Sequence, residues 1–487
     1  MVHLFKGNGY NIVLDVESGS IHLVDELAYD AIDCLNREGL FGLERSEAFE
    51  ESETLEKSER IVDRAFMPVT IEEVFHVLEA NLANQYPKTQ LQEVAEEIVD
   101  LVKRGQLFSP LIMEEEIKNH TPVVKALCLH IAHDCNLACR YCFAKEGEYH
   151  GSRELMSLEV GKKALDFLVA HSGNRRNLEV DFFGGEPLMN WQVVKEMVAY
   201  GREQEHKTDK NFRFTLTTNG ILLDDQVIDF ANQEMENVVL SLDGRREIND
   251  RMRPTRNGKG SYHLVVPKFQ KLVREREDKE YFIRGTFTRE NLDFVEDVKH
   301  FAKLGFKQIS IEPVVLGEEN DLAIREEDLP EIFNQYDELV NEMLKVQGTD
   351  DEFTFFHFLL DLEGGPCVAK RVSGCGAGSE YLAVTPTGDL YPCHQFVGQE
   401  EFWLGNVDEG IVKPEIAQGF SRCSVYSKEE CQECFAKYYC SGGCMANSYQ
   451  FHRDINKIYE IGCKMEKKRV ECAIMLKVAK EVKSLER

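Results

Sequence analysis

Fifteen cysteines stand in a chain of 487 residues, and most of them fall into two spaced sets. The first set is Cys135-x3-Cys139-x2-Cys142, within His133-Asp-Cys-Asn-Leu-Ala-Cys-Arg-Tyr-Cys. Three thiolates on one short loop can hold three irons of a cubane [4Fe–4S] cluster and leave the fourth iron without a protein ligand. An open iron of this kind accepts a small molecule that chelates through an amino and a carboxylate group. Structural zinc is the competing use, but zinc takes four ligands and the loop offers three thiols.

The loop follows a candidate strand, Val123–Ile131. Five more apolar runs follow: Leu178–Phe183, Phe212–Thr217, Val238–Leu242, Phe282–Phe287 and Gln308–Glu312. Amphipathic helices separate them, as at Ser157–Ala170, Gln192–Gly201 and Asp224–Asn232. Six such units predict an α/β fold: a parallel sheet curling into a partial (β/α)6 TIM-type barrel over 120–330, with its active site at the C-terminal strand ends. Small and polar residues stand at those ends. Strand two is followed by Gly184-Gly185-Glu186-Pro187, strand three by Thr217-Thr218-Asn219-Gly220 and strand four by Ser241-Leu242-Asp243-Gly244. Each alone is an ordinary turn or cap. In register at four successive strand ends, with the cysteine loop, they outline a site. Arg284 and Glu312, on later strands, either face the same cavity or form a structural salt bridge.

With Phe143 behind it and Tyr141 at its aromatic position, the cysteine loop resembles the signature of the radical S-adenosylmethionine (SAM) superfamily. The resemblance implies that a cluster on Cys135, Cys139 and Cys142 cleaves SAM to a 5′-deoxyadenosyl radical, which takes hydrogen from the substrate. It also implies SAM contacts at Tyr141, Phe143, Gly184, Gly185 and Glu186, the Gly-Gly-Glu-Pro turn binding the methionyl amino group. Thr217, Asn219, Ser241 and Asp243 suit the ribose hydroxyls and the carboxylate, and Arg284 and Glu312 complete the candidate set.

The second set is Cys375-x12-Gly388-x4-Cys393, then Cys431-x2-Cys434-x5-Cys440-x3-Cys444, then Cys463. It resembles the SPASM domain, which holds two auxiliary [4Fe–4S] clusters and brings the total to three. By that resemblance Cys375, Cys393 and Cys444 serve the first auxiliary cluster, and Cys431, Cys434, Cys440 and Cys463 the second. Zinc ribbons share the Cys-x2-Cys element and are the competing use. The first auxiliary cluster is one ligand short; either Cys367 supplies it or a free iron binds the substrate's own thiolate. Cys34, Cys128, Cys423 and Cys472 fit neither pattern. The first, second and last of these are small apolar residues, and Cys423 is left open.

Charge and termini bound the partners. With 57 Lys and Arg against 86 Asp and Glu, the chain carries a net charge of −29, which repels phosphate backbones and anionic lipid and argues against nucleic acid or membrane. No secretory signal or membrane-spanning run is read, so a cytoplasmic protein is expected, where cysteines ligate metal rather than form disulfides. Residues 1–110 read as a winged-helix-like module. Strands lie at 11–16 and 20–24, a helix at Ala28–Leu35, and amphipathic helices at Thr70–Leu82 and Leu91–Arg104. A capping box is expected at Thr70 and Glu73, and the charge-rich stretch 44–60 reads as a mobile insertion. The remaining divisions are a helical bridge over 331–364, a cysteine-rich domain over 365–465 and a C-terminal helix over 466–487.

The module resembles the recognition element of peptide-modifying enzymes, which adds a leader peptide as a strand to its sheet edge. The order of module, barrel and SPASM domain resembles the maturases of SCIFF peptides, which are short, cysteine-rich ribosomal precursors. The resemblance implies an oxidoreductase forming a thioether from a peptide cysteine to a carbon of another residue, commonly threonine. An auxiliary cluster takes up the leftover electron, and flavodoxin or ferredoxin serves as donor. The alternative is an anaerobic sulfatase maturase that generates formylglycine.

Overall fold

The computed structural model describes residues 1–41, 69–111, 122–149, 151–362 and 371–485. The stretch 44–60 and Cys367 lie outside the described residues.

The N-terminal unit starts with a strand absent from the sequence reading. Strand β1 (Val2–Gly7) pairs antiparallel with β2 (Tyr10–Asp15), and Gly7 faces Tyr10 across the turn. The two turn residues are Asn8 and Gly9, with φ of 49° and 79°. Asn-Gly is the dipeptide that a hairpin turn with positive φ at both positions selects. Strand β3 (Ile21–Val24) pairs with the other side of β2. Helices Glu26–Arg37, Ile71–Leu82 and Lys88–Lys103 follow. The capping box is present: Thr70 Oγ1 accepts from the Glu73 N–H at 3.2 Å, and the Thr70 N–H donates to Glu73 Oε2 at 2.9 Å.

Alternation along β2 makes this small sheet a shared layer. Val13 packs with the three helices, whereas Ile12 and Leu14 point into the main core of the molecule. The unit is therefore wedged onto the rest of the chain.

The six predicted strands form as expected: β4 (Ala126–Ala132), β5 (Asn177–Gly184), β6 (Asn211–Thr218), β7 (Asn237–Ser241), β8 (Tyr281–Phe287) and β9 (Gln308–Pro313), each parallel to the next. All six C-terminal ends therefore open on one side. The sheet does not stop there; it has 11 strands. On one edge β10 (Thr354–Phe355) runs parallel to β9, so only Leu329–Val346 of the expected bridge is a long helix. On the other edge β11 (Tyr381–Val384) runs parallel to β4 and is followed by β12 (Asp389–Tyr391), β13 (Gly405–Asn406) and β14 (Gly410–Ile411). The cysteine-rich segment thus begins as a strand of the barrel's own sheet. Tyr381–Val384 is four residues long, too short a run to show a period.

The C-terminal helix Glu460–Leu485 starts before the expected boundary at 466, carries Cys463 in its first turn and packs along helix Leu329–Val346. No helix among the described residues is long and apolar enough to cross a membrane.

Candidate functional site

The loop Cys135–Cys142 leaves the end of β4 and is laid against the chain that follows β7. The Ala138 N–H donates to Pro254 O at 2.8 Å and the Arg140 N–H to Met252 O at 3.0 Å. From the other side, the Gly185 N–H donates to Ala132 O at 2.7 Å and the Glu186 N–H to Asp134 O at 2.9 Å. This contact explains both glycines. A Cβ on Gly184 would lie 2.5 Å from Ala132 O, and one on Gly185 would lie 2.1 Å from Asp134 O. Gly184, with φ of 119°, also needs a conformation that favours glycine. Among the described residues, what the Gly-Gly turn admits so closely is the cysteine loop.

Glu186 is 1% exposed and ties two strand ends together. Its Oε1 accepts from the Leu188 N–H at 3.0 Å and from Thr218 Oγ1 at 2.8 Å, and its Oε2 accepts from the Asn219 N–H at 2.8 Å. Burial pushes its carboxyl up to about 6 against those three donors. The Asn219 side chain then reaches the loop itself, donating to Asn136 Oδ1 at 2.8 Å and toward Cys135 Sγ at 3.6 Å. Thr217 and Ser241 sit half-buried at the ends of β6 and β7.

Asp243 is fully buried and is tied to the cysteine loop. The Tyr141 hydroxyl lies 2.8 and 2.7 Å from its two carboxylate oxygens, Arg253 Nη1 donates to that hydroxyl at 2.8 Å, and the Thr286 N–H donates to Asp243 Oδ1 at 3.2 Å. Arg253, not anticipated from the sequence, also lies 3.7 Å from Asp243 Oδ1. Burial pushes the Cys135 thiol up to about 11 and the Cys139 thiol up to about 12, and the Arg253 charge opposes the rise at both.

Arg284 and Glu312 do form an ion pair, across β8 and β9. Around it gather His357, with Nε2 at 4.0 Å from Glu312 Oε1 and 3.1 Å from Ser310 Oγ, and Arg469 of the C-terminal helix, with Nη1 at 3.2 Å from His357 Nδ1. The Arg284 charge, with a smaller contribution from Arg469, holds the Glu312 carboxyl below its ordinary value, against its burial.

Strand β11 runs parallel to β4, and antiparallel β12 carries the chain back, so that Cys393 lies across from Tyr381 at the start of β11. Cys393 follows β12, and the ring of the next residue, His394, lies 5.6 Å from Phe143, the residue after Cys142, and 5.2 Å from Phe183. Cys375 and Cys444 act electrostatically on Cys393, while Cys431, Cys434 and Cys463 act on Cys440. Among the described residues, no three His, Cys, Asp or Glu side chains meet as ligands of a single metal ion. The donor chemistry nonetheless fits clusters: thiols in three sets, with Asn136 Nδ2 and Asn447 Oδ1, beside Cys135 and near Cys444, both buried and lacking a partner among the described residues. Between the first two sets lies a buried group absent from the sequence reading. His130 Nδ1 lies 3.0 Å from His133 Nε2, and Tyr149 packs on both rings and donates to Gly184 O at 3.1 Å.

Residues 129–328 match the Radical SAM superfamily, whose fold binds SAM and a [4Fe–4S] cluster. The radical SAM cyclopropyl synthase TigE of Paramaledivibacter caminithermalis is 24% identical over 343 residues, 66% of this chain and 68% of that protein. A cysteine-type anaerobic sulfatase-maturating enzyme of Clostridium novyi is 25% identical over 330 residues, 64% of this chain and 86% of that one. The solved structure of anSMEcpe with bound AdoMet has a TM-score of 0.62 at 22% identity, covers 74% of this chain and 96% of its own, and shows the fold.

Proposed function

We propose, from the radical SAM domain at 129–328, that this enzyme installs a thioether in a cysteine-rich ribosomal peptide, joining a cysteine sulfur to a carbon of a second residue, threonine foremost. Cys135, Cys139 and Cys142 hold the cluster that binds SAM. Cys375, Cys393 and Cys444 hold one auxiliary cluster, and Cys431, Cys434, Cys440 and Cys463 the other. SAM bound at the first cluster supplies a 5′-deoxyadenosyl radical that takes a hydrogen atom from the peptide. Each link would remove two hydrogens, one as that atom and the other as the thiol proton, with the leftover electron passing to an auxiliary cluster.

The chain's own residues prepare the site. Asn219 orients Cys135, while Asp243 and Arg253 fix Tyr141 and so the turn between Cys139 and Cys142. Ligation must deprotonate thiols that burial keeps neutral, so loading releases protons, and the Arg253 charge favours that release. The 5.6 Å contact of Phe143 with His394 carries the proposal, because the residues that follow Cys142 and Cys393 meet there and set the two cysteine systems side by side. Among the described residues strand β3 pairs only with β2, and Leu23 on it is 48% exposed, which suits the addition of a leader strand.

The kinship to a sulfatase-maturating enzyme favours formylglycine formation as the second reading. Anaerobic reaction of the reconstituted protein with SAM, dithionite and a short cysteine-rich peptide separates the two. A peptide lighter by two hydrogens per event, with thiols closed to alkylation, is expected; an aldehyde in place of a cysteine establishes the second reading.

A further inference from the structure

Lys428 is 1% exposed, and a buried ammonium is costly unless something negative faces it. Its Nζ donates to Gly442 O at 2.8 Å, a neutral carbonyl. Among the described residues, no carboxylate lies within ion-pair reach of it. The nearby Cys423 is not its counterion, because Cys423 Sγ donates to Ile455 O at 3.3 Å and is therefore a neutral thiol.

The neighbours identify the missing charge. Gly442 lies in the short loop Cys440-Ser-Gly-Gly-Cys444, one end of which belongs to each auxiliary set. Lys428 packs beside Ser373, Ser441, Gly443 and Met445, which flank Cys375, Cys440 and Cys444 in sequence, and beside Cys423. Through Gly442 O the buried ammonium is fixed against the one loop that joins the two auxiliary sets, two residues from both Cys440 and Cys444. The first cysteine loop has a cation of its own, Arg253, whose Nη1 donates to the Tyr141 hydroxyl at 2.8 Å.

We propose that Lys428 is the buried counter-charge shared by the two auxiliary cluster sites and holds the reduction potentials of both up. The inference rests on reading the seven C-terminal cysteines as cluster ligands. Thiolate-ligated clusters are anionic and gain a further negative charge on reduction, so a fixed ammonium between them favours the reduced form. A lysine that only braced the loop would need its hydrogen bond to Gly442 O and not its charge.

The test is a reductive titration followed by electron paramagnetic resonance, on wild type, K428Q and K428R, with iron and sulfide counted in each. K428Q keeps a donor for Gly442 O and loses the charge; it is expected to lower both auxiliary potentials and leave that of the first cluster unmoved. K428R is expected to stay close to wild type. Unchanged auxiliary potentials in iron-replete K428Q overturn the proposal. If K428Q loses auxiliary iron, retention in K428R supports a need for the charge, and equal loss in K428R assigns Lys428 to packing and overturns it. Wild type that holds zinc or no iron at the C-terminal cysteines removes the cluster assignment, and the proposal with it.

Discussion

Lys437 Nζ lies 2.7 Å from Glu17 Oε1, with side chains 2% and 1% exposed, across 420 residues of sequence. The Tyr438 hydroxyl donates to the other Glu17 oxygen at 2.8 Å. Glu17 belongs to the β2–β3 turn of the N-terminal unit, whereas Lys437 and Tyr438 lie between Cys434 and Cys440. The same face adds His3 stacked on Phe435, with ring centroids 3.5 Å apart. The N-terminal unit is thus bolted to the segment proposed to hold the second auxiliary cluster.

Removing one partner of a buried ion pair strands the other. K437M is expected to lower unfolding stability by about 3–5 kcal/mol. The double variant E17Q/K437M should recover a good part of that loss, because neither charge is then left alone. Thermal unfolding of the two proteins checks the difference.

G185A places a Cβ 2.1 Å from Asp134 O, a backbone atom that cannot swing aside. The cysteine loop must shift, at about 1–3 kcal/mol or more, and 5′-deoxyadenosine formation is expected to fall by at least about 100-fold. G419A is the control. Gly419 lies in helix Pro414–Arg422 with nothing within 4 Å of its Cβ position, and alanine there should be neutral or slightly stabilising.

Removing the Asp243 charge leaves the Arg253 guanidinium without its acid and Tyr141 with a neutral amide oxygen in place of a carboxylate. D243N is expected to cost about 3–5 kcal/mol, as other broken buried pairs do. Iron at the first cluster should be depleted before that at the auxiliary sites. Y141F, which loses one hydrogen bond to a charged group, should cost about 1.5–3 kcal/mol. Iron content and thermal unfolding distinguish the two.

Asp181 on β5 gives a pH signature. Burial raises its carboxyl from 3.8 to about 6, with Glu179 adding to the rise. Between those values the folded chain binds more protons than the unfolded one, so stability falls as pH rises. Relative to D181N, wild type should therefore lose stability as pH climbs from about 4 to about 6 and hold a constant difference above that. Denaturant unfolding of both proteins at several pH values reads this directly.

Much of this was legible in the sequence because it is local. The six strands follow from apolar runs bounded by turn residues, and the Thr70–Glu73 capping box is a four-residue pattern. The Asn8-Gly9 hairpin carried an equally local signal, which a search for alternation beginning at Asn11 passed over. Gly184 and Gly185 are visible as a Gly-Gly turn, whereas their closeness to Ala132 O and Asp134 O is not, because no spacing reveals which backbone a glycine approaches. The same holds for Asp243 and its ties to Tyr141 and Arg253. The Glu17–Lys437 pair and the β4–β11 pairing join residues hundreds of positions apart, where each partner looks like an ordinary turn acid, surface lysine or short apolar run.

The most direct test follows hydrogen from the peptide. A short cysteine-rich peptide, labelled with deuterium on its carbons, is incubated anaerobically with the reconstituted enzyme, SAM and dithionite, and both products are weighed by mass spectrometry. Deuterium in the 5′-deoxyadenosine is predicted, together with a peptide that has lost one deuterium and one thiol hydrogen per link. Unlabelled 5′-deoxyadenosine beside an unchanged peptide would contradict the claim that a peptide carbon is where the radical acts.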